Sequence, residues 1–252
     1  MIYAADISIK IIHEDNHIIV ADKPAGILSQ GDMSGRESLL DMLKNYVKLK
    51  YDKPGEAFIG LVHRLDRPVS GLMVFARTSK AASRLHQEII SGRMEKFYIA
   101  VTEMELIAGS DWHRLENNLI RKKDKTFISV KESRNSQRSV LYYNVLKCGE
   151  GKSLLLVKLE TGRKHQIRAQ LAGMGAPVYG DSKYGSPISA GKAICLHSVF
   201  LKFMHPVKKT MVEFYSPPPE IFRRSADFIP EDLQPVIMEK IRSFRIRPEY
   251  LL

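Results

Sequence analysis

Cysteine is scarce in this chain. Cys148 and Cys195 are the two among 252 residues, each inside an apolar, strand-like segment and far from any CxxC spacing. That pattern excludes a disulfide framework and a thiolate zinc site. Long apolar runs are missing too: nothing approaches bilayer-spanning length, and Met1 to Lys10 lack the core of a signal peptide. The histidines are scattered without HExxH spacing, and there is no Walker loop, no GxGxxG and no GxSxG. These absences speak against zinc hydrolysis, nucleotide cofactors and a serine nucleophile. The expectation is a soluble, cytoplasmic protein with no metal and no cofactor.

Acidic residues are the other shortage. There are 28 of them against 39 Lys+Arg, a formal net charge of +11. Such an excess draws a polyanion at long range, nucleic acid ahead of an anionic membrane. Hydrophobic residues make up 44% of the chain, enough at this length for one substantial core. No internal repeat or low-complexity linker divides it.

Periodicity gives a coarse map. "SIKIIHEDNHIIVADKPAG" reads as two short strands around the turn-forming Asp15-Asn16, closed by Pro24-Ala25-Gly26. "SGRESLLDMLKNYVKLKY" reads as an amphipathic helix, with Ser34 and Glu37 at capping-box spacing. "SGLMVFAR" is a continuous apolar strand. The helix "TSKAASRLHQEIISG" follows, with Thr78 or Ser79 as N-cap and Gly92 as C-cap. In "EKFYIAVTEMEL", alternation sets Phe97, Ile99 and Val101 on one face and Tyr98 on the other. Strand patterns then dominate: "TFISV", "RSVLYYNVLKC", "SLLLVKLE", "AICLHSVFLKFMHP" and "KTMVEFY". They are interrupted by one short helix, "KHQIRAQLAGM", with Ile167, Leu171 and Met174 at helical spacing. Pro230 to Phe244 reads as a terminal helix, ending in the basic "RSFRIRP". This is an α+β domain whose sheet is mainly antiparallel.

Chemistry concentrates in "HRLDRPVSG", where His63, Arg64, Asp66 and Arg67 crowd the entrance to the apolar strand. A carboxylate is already ionised at neutral pH, so it can attack a sugar carbon or a polarised ring without a deprotonating partner. An Arg–Asp pair in a turn is also common on solvated surfaces. "HRLD" by itself leaves both readings open.

Four stretches taken together narrow the choice. "HRLDRPVSGLMVFAR", "EKFYIAV", "LETGRKHQIRAQL" and "PVYGDSKYG" resemble, in order and spacing, the motifs of the RluA-type pseudouridine synthases, and "LHSVFLKFMHP" is similar as well. Those enzymes isomerise uridine in ribosomal and transfer RNA. The likeness runs from about Ile9 to Pro219.

The resemblance implies a single catalytic domain over residues 1–219, an α+β fold with a mainly antiparallel mixed sheet, a few flanking helices and a central RNA-binding cleft. Residues 220–252 form a C-terminal extension, and too few residues precede the catalytic motif for the N-terminal accessory RNA-binding domain that many members carry. It implies Asp66 as the catalytic aspartate, Arg168 as its cationic partner and Tyr98 as the ring packed against the target base. A base stacked in RNA must be flipped out before it can be rearranged, and Arg64 matches the residue that fills the vacated stack. Arg67, Arg163 and Lys164 are phosphate contacts, while His63, His165 and Leu196 complete the substrate-binding set. His63 shapes the loop, and Tyr179, Asp181 and Tyr184 brace the site. The charge runs beginning at Arg121 and Arg242 either extend the RNA footprint or are solvated faces.

RNA is the expected partner and the protein a monomer. Asp66 has three routes open to it: addition at ring carbon 6, attack on ribose carbon 1, or assisted elimination to a glycal. One departure is Val69, where the family commonly has Thr; a hydroxyl is lost, which implies a changed hydrogen bond beneath the loop. The alternatives are a non-catalytic RNA-binding module of the same fold, and a glycosidic hydrolase. The second lacks a motif-supported second carboxylate.

Overall fold

A computed structural model describes residues 2–4, 7–33, 35–131 and 133–245. A meander of β1 (Ile2–Ala4), β2 (Ile7–Glu14) and β3 (Ile18–Lys23) leads to helix α1 (Leu39–Lys50). Next come β4 (Gly60–Leu61), β5 (Ser70–Ala76), helix α2 (Ser79–Ile90) and β6 (Glu95–Thr102). The strands β7 (His113–Lys122), β8 (Lys125–Ser129), β9 (Ser136–Gly149) and β10 (Lys152–Leu159) precede helix α3 (Gln166–Gly173). The chain ends with β11 (Leu196–Met204), β12 (Met211–Tyr215), α4 (Ile221–Ser225) and α5 (Gln234–Ser243). The strands join in the order β1-β2-β3-β5-β11-β6-β10-β9-β7-β8, with β12 on β11 and β4 on β5. Among the described strands only β5 and β11 run parallel, so the sheet is the mainly antiparallel one expected.

Alternation sorts the core into two layers. On one face Met73, Phe75, Tyr98, Ala100, Leu155 and Val157 meet α1 through Leu39 and Leu43, and α3 through Ile167 and Leu171. On the other, Leu72, Val74 and Phe203 pack on α2, while Phe97, Ile99, Leu154 and Leu156 pack on the C-terminal segment through Phe222, Ile237 and Phe244. Phe244 stands edge-on to Trp112 at 4.9 Å between ring centroids, so this segment is part of the second layer. Tyr98 therefore faces α3, the side on which the motif residues gather.

Several expectations change. The helix α1 is capped by Ser38, whose hydroxyl accepts from Asp41 N while the Asp41 side chain bonds back to Ser38 N; Ser34 lies outside the described residues. Thr78 caps α2, and its chain ends at Ser91, with Gly92 at φ +69° immediately after. The strand β7 carries no strand signal in the sequence, and the charge run at Arg121 is the β7–β8 hairpin, turning at Lys123 with φ +54°. The helix α3 has no solvated face over its first six residues, since Gln166 to Leu171 are all buried. Residues beyond Arg245, including the end of the basic "RSFRIRP", lie outside the described residues.

The junction of β5 and β11 is close-packed at Gly71. Gly71 has φ +114°, and a Cβ there would sit 2.4 Å from both the nitrogen and the oxygen of Ser198. Backbone cannot yield as a side chain can. Beside it, Ser70 Oγ bonds His197 Nδ1 at 2.8 Å, and His197 Nε2 donates to Ser216 O at 3.1 Å. Replacing Gly71 by Ala is expected to remove more than about 3 kcal/mol of stability. Chemical denaturation measures this, and a loss under about 1 kcal/mol would show that the strands can separate cheaply.

Candidate active site

The loop between β4 and β5 is held at nearly every residue. Ser29 Oγ donates to Leu65 O at 2.7 Å and accepts from Leu65 N at 3.1 Å. Gly26 N donates to Arg67 O at 2.7 Å, and Arg67 Nε returns a bond to Gly26 O at 3.0 Å. Ile194 N reaches Pro68 O, and Val69 N closes a turn on Asp66 O at 3.0 Å. Val74 N donates to His63 Nε2 at 3.0 Å, so the His63 proton sits on Nδ1. Burial, and then the nearby Lys96 cation, push that imidazole down to about 3, consistent with a neutral structural group. Asp66 projects from a loop with little freedom to move.

Opposite it stands α3, preceded by the "TGRKH" segment. Gln166 secures that segment: its Oε1 accepts from Thr161 Oγ1 at 2.9 Å and Arg163 N at 3.0 Å, and its Nε2 donates to Val140 O at 3.1 Å. His165, the cap residue, adopts φ +56° and ψ 22°, a left-handed conformation that a β-carbon disfavours. This turns its ring toward Asp66, with Nε2 at 3.6 Å from Oδ2.

Arg168 is the centre of the constellation. It is 4% exposed, and its guanidinium is divided between two carboxylates. Nε and Nη2 donate to the two oxygens of Asp181 at 2.7 and 2.8 Å, while Nη1 donates to Asp66 Oδ2 at 3.0 Å. Desolvation works against the cation, but its bonds to Asp181, the Asp181 charge and then the charge of Asp66 outweigh it, so its pKa stands above the usual arginine value. The guanidinium carbon stands over the ring of Tyr184, 4.9 Å from its centre. Asp66 is 23% exposed at its side chain, so it is anchored and still open to a ligand. Tyr98 is buried on β6 within reach of the Asp66 charge; burial first and Asp66 second push its phenol up, and it stays protonated at neutral pH.

Asp66, Tyr98, Arg168 and His165 thus converge. Arg64 stands exposed beside them with no hydrogen bond or ion pair to the described residues. Lys164 is exposed as well, and its pKa is lowered by desolvation and by the neighbouring cations Arg121, Lys183 and Arg64. Arg163 is exposed and reaches Arg138 O at 3.5 Å. Arg67 is exposed but committed to Gly26. Leu196 is 3% exposed and belongs to the apolar cluster that includes Tyr98 and Ile167. Val69 joins the same cluster, and the loop above it draws its hydrogen bonds from Ser29, Gly26 and Lys23 instead.

Lys23 is the residue that sequence reasoning missed. It is fully buried at the end of β3, its ammonium donating to Pro24 O, Ile27 O and Arg67 O at 3.0, 2.9 and 3.3 Å. Desolvation pulls it down to about 7, and Asp66 and then Asp22 hold it up. The signal was present: alternation along β3 places Lys23 on the inward face with Ile19 and Ala21. Lys96, two residues before Tyr98 and on the same face of β6, was also passed over; burial lowers its pKa, and its ammonium lies close to Gly162.

A twisted mixed sheet carrying an anchored aspartate, a shared buried arginine and a strand tyrosine on one face defines an enzyme of α+β architecture. Residues 17–173 match the family model described as RNA pseudouridylate synthase. The ribosomal large subunit pseudouridine synthase D of Xylella fastidiosa is 29% identical over 232 residues, covering 85% of this chain and 67% of the relative. An RNA pseudouridine synthase of Aquifex aeolicus is 32% identical over 242 residues, covering 90% and 74%. The solved structure of human RNA pseudouridylate synthase domain containing 4 superposes with a TM-score of 0.71 at 23% identity, covering 85% of this chain and 90% of that one. The chain belongs to the RNA pseudouridylate synthase family, in its RluA-type branch, and is an isomerase acting on RNA.

Four imidazoles here are held below the usual histidine value: His63 at about 3, His165 at about 4, and His197 and His205 in the same direction, burial being the main cause in each. The unfolded chain takes up protons near 6.5 that the native state refuses, so stability falls as pH drops through that value. Unfolding free energy measured from pH 7 to 4.5 should fall by up to about 1.4 kcal/mol per pH unit for each imidazole. A flat profile across that window would contradict their neutrality.

Proposed function

We propose that this protein everts a uridine from an RNA stretch laid across the Asp66 loop and uses Asp66 to isomerise it to pseudouridine. The observation that carries this reading is the Asp66 carboxylate itself: bound at 3.0 Å to a buried arginine, set on a pinned loop and still open on one side. In the reaction the bond between ribose carbon 1 and ring nitrogen 1 breaks, the uracil turns, and ribose carbon 1 bonds ring carbon 5. The proton on carbon 5 leaves and one is gained at nitrogen 1. Atoms and electrons balance without a redox partner or group donor. Arg168 holds Asp66 aimed through its Nη1 bond to Oδ2. Tyr98 offers a flat ring with a neutral phenol to the base, and Arg64, without a hydrogen bond or ion pair among the described residues, occupies the gap that eversion leaves.

Cations lie about this site. Lys164 feels the charges of Arg121, Lys183 and Arg64 as well as that of Asp66. The stem of Lys192 lies across Gly26, whose carbonyl accepts from Arg67. Phosphates flanking an everted nucleotide fit such a frame. Ribosomal RNA is the substrate class we favour over transfer RNA, because curated relatives are named for the large ribosomal subunit. The reading carries with it no metal or cofactor, a monomer, and a cytoplasmic site of action.

RNA labelled with tritium at uracil carbon 5 tests it. The protein should release tritium to water, and Asp66→Asn should lower the rate by at least about 1000-fold while RNA affinity stays within a few-fold. Binding without release by the native protein would favour the non-catalytic module, and free uracil as product would favour a hydrolase.

Affinity should also fall linearly with the logarithm of salt concentration. Arg121→Ala combined with Lys164→Ala should reduce that slope by about 1.5, two phosphate contacts' worth. An unchanged slope would remove the β7–β8 hairpin from the interface.

A further inference from the structure

The proposed reaction assigns no task to His165, yet its ring is fixed at both ends. Thr126 N donates to the Tyr184 hydroxyl at 2.8 Å, which fills a lone pair and turns the hydroxyl proton elsewhere. His165 Nδ1, also at 2.8 Å, is the partner that can accept it. On the far side of the ring, Nε2 stands 3.6 Å from Asp66 Oδ2, an electrostatic approach rather than a formed hydrogen bond. A bare nitrogen there would face a carboxylate lone pair to lone pair; an N–H is attracted. Both ends select the same tautomer, with Nδ1 bare and Nε2 protonated.

We propose that Tyr184 is a positioning residue that locks His165 as a neutral Nε2–H donor aimed at Asp66, so that Oδ2 is held from two sides and Oδ1 is the oxygen left for the nucleotide. Arg168 Nη1 and His165 Nε2 converge on Oδ2, whereas Oδ1 makes no hydrogen bond to the described residues. The left-handed backbone of His165 gives the ring this aim, and Gln166 holds the segment that leads to it. Desolvation, helped by Arg168, Lys164 and Lys183 and opposed by Asp66, keeps the ring neutral. Tyr184 thereby serves two members of the site at once: its ring face lies on Arg168 and its hydroxyl sets His165.

The inference rests on the pseudouridine synthase reading for its kinetic arm only. In the 15N-labelled full chain at pH 7, a long-range proton–nitrogen correlation spectrum should show His165 with Nδ1 bare and Nε2 protonated. Tyr184→Phe keeps the ring against Arg168 and removes the lock. Its spectrum should show mixed tautomers, and single-turnover tritium release should fall by about tenfold, the worth of one hydrogen bond to a charged group, with RNA affinity unchanged. A native spectrum showing Nδ1–H or an imidazolium overturns the proposal. So does a Tyr184→Phe protein whose tautomers mix while its rate holds. The native spectrum needs neither RNA nor the variant, so it decides the lock even if tritium release fails or Tyr184→Phe does not fold.

Discussion

One guanidinium ties the site together. Arg168 comes from α3, Asp181 from the turn that follows Val178, and Asp66 from the loop between β4 and β5; residues 102 apart in the chain meet on its nitrogens. A buried arginine with one donor unpaired would be strongly destabilising, because its desolvation cost would go uncompensated. Here Nε, Nη1 and Nη2 are all used, and unequally. Asp181, 2% exposed, takes a two-bond fork and supplies the structural counter-ion. Asp66 takes a single bond and keeps an accessible edge. Had the fork gone to Asp66 instead, its oxygens would be fully engaged and its approach to a ligand blocked. The division of one cation between a closed and an open carboxylate lets a buried charge network present an accessible carboxylate.

The charges around that network are graded outward. Two carboxylates and one arginine leave a net negative charge in the interior, and the buried Lys23 is the next cation, feeling Asp66 directly. The adjacent imidazoles are neutral. The positive excess sits at the rim, in Arg64, Lys164, Arg121 and Lys183, where water tempers its self-repulsion. A polyanion drawn by the rim therefore meets a site whose own anion is shielded by Arg168 and Lys23. This reconciles an accessible carboxylate in the site with a negatively charged substrate such as RNA.

What the sequence disclosed follows the physics of each element. Tyr98 was legible, because strict alternation along β6 separates it from Phe97 and Ile99. Lys23 obeys the same alternation on β3, but "KPAG" reads as turn chemistry and masks a lysine that stabilises carbonyls instead of meeting water. The strand β7 was invisible because "HRLENNLIRK" buries little: Leu119 is its one fully buried apolar residue, and its pairing with β8 and β9 holds it in place. The burial of α3 on every face has no signal in the sequence, since Gln166 and Gln170 are residue types that usually meet solvent. Both are buried because their amides bond backbone groups of β7, β9 and the preceding segment. The pairing of Asp66 with Arg168 has no periodic signature at all and came through the order of motifs alone.

Val69 tests this logic at a single atom. A threonine at its place would add a hydroxyl to an apolar cluster shared with Leu65, Tyr98 and Ile167, and that hydroxyl would require a partner. In this chain the loop needs none from that position. Leu65 N and O are both bonded to Ser29, Arg67 O receives Gly26 N and Lys23 Nζ, Pro68 O receives Ile194 N, and Asp66 O receives Val69 N itself. Each of these donors lies outside the side chain at position 69. With the carbonyls of Leu65, Asp66, Arg67 and Pro68 all bonded by other donors, a β-branched residue of the same shape suffices, and the hydroxyl can be lost without freeing the aspartate.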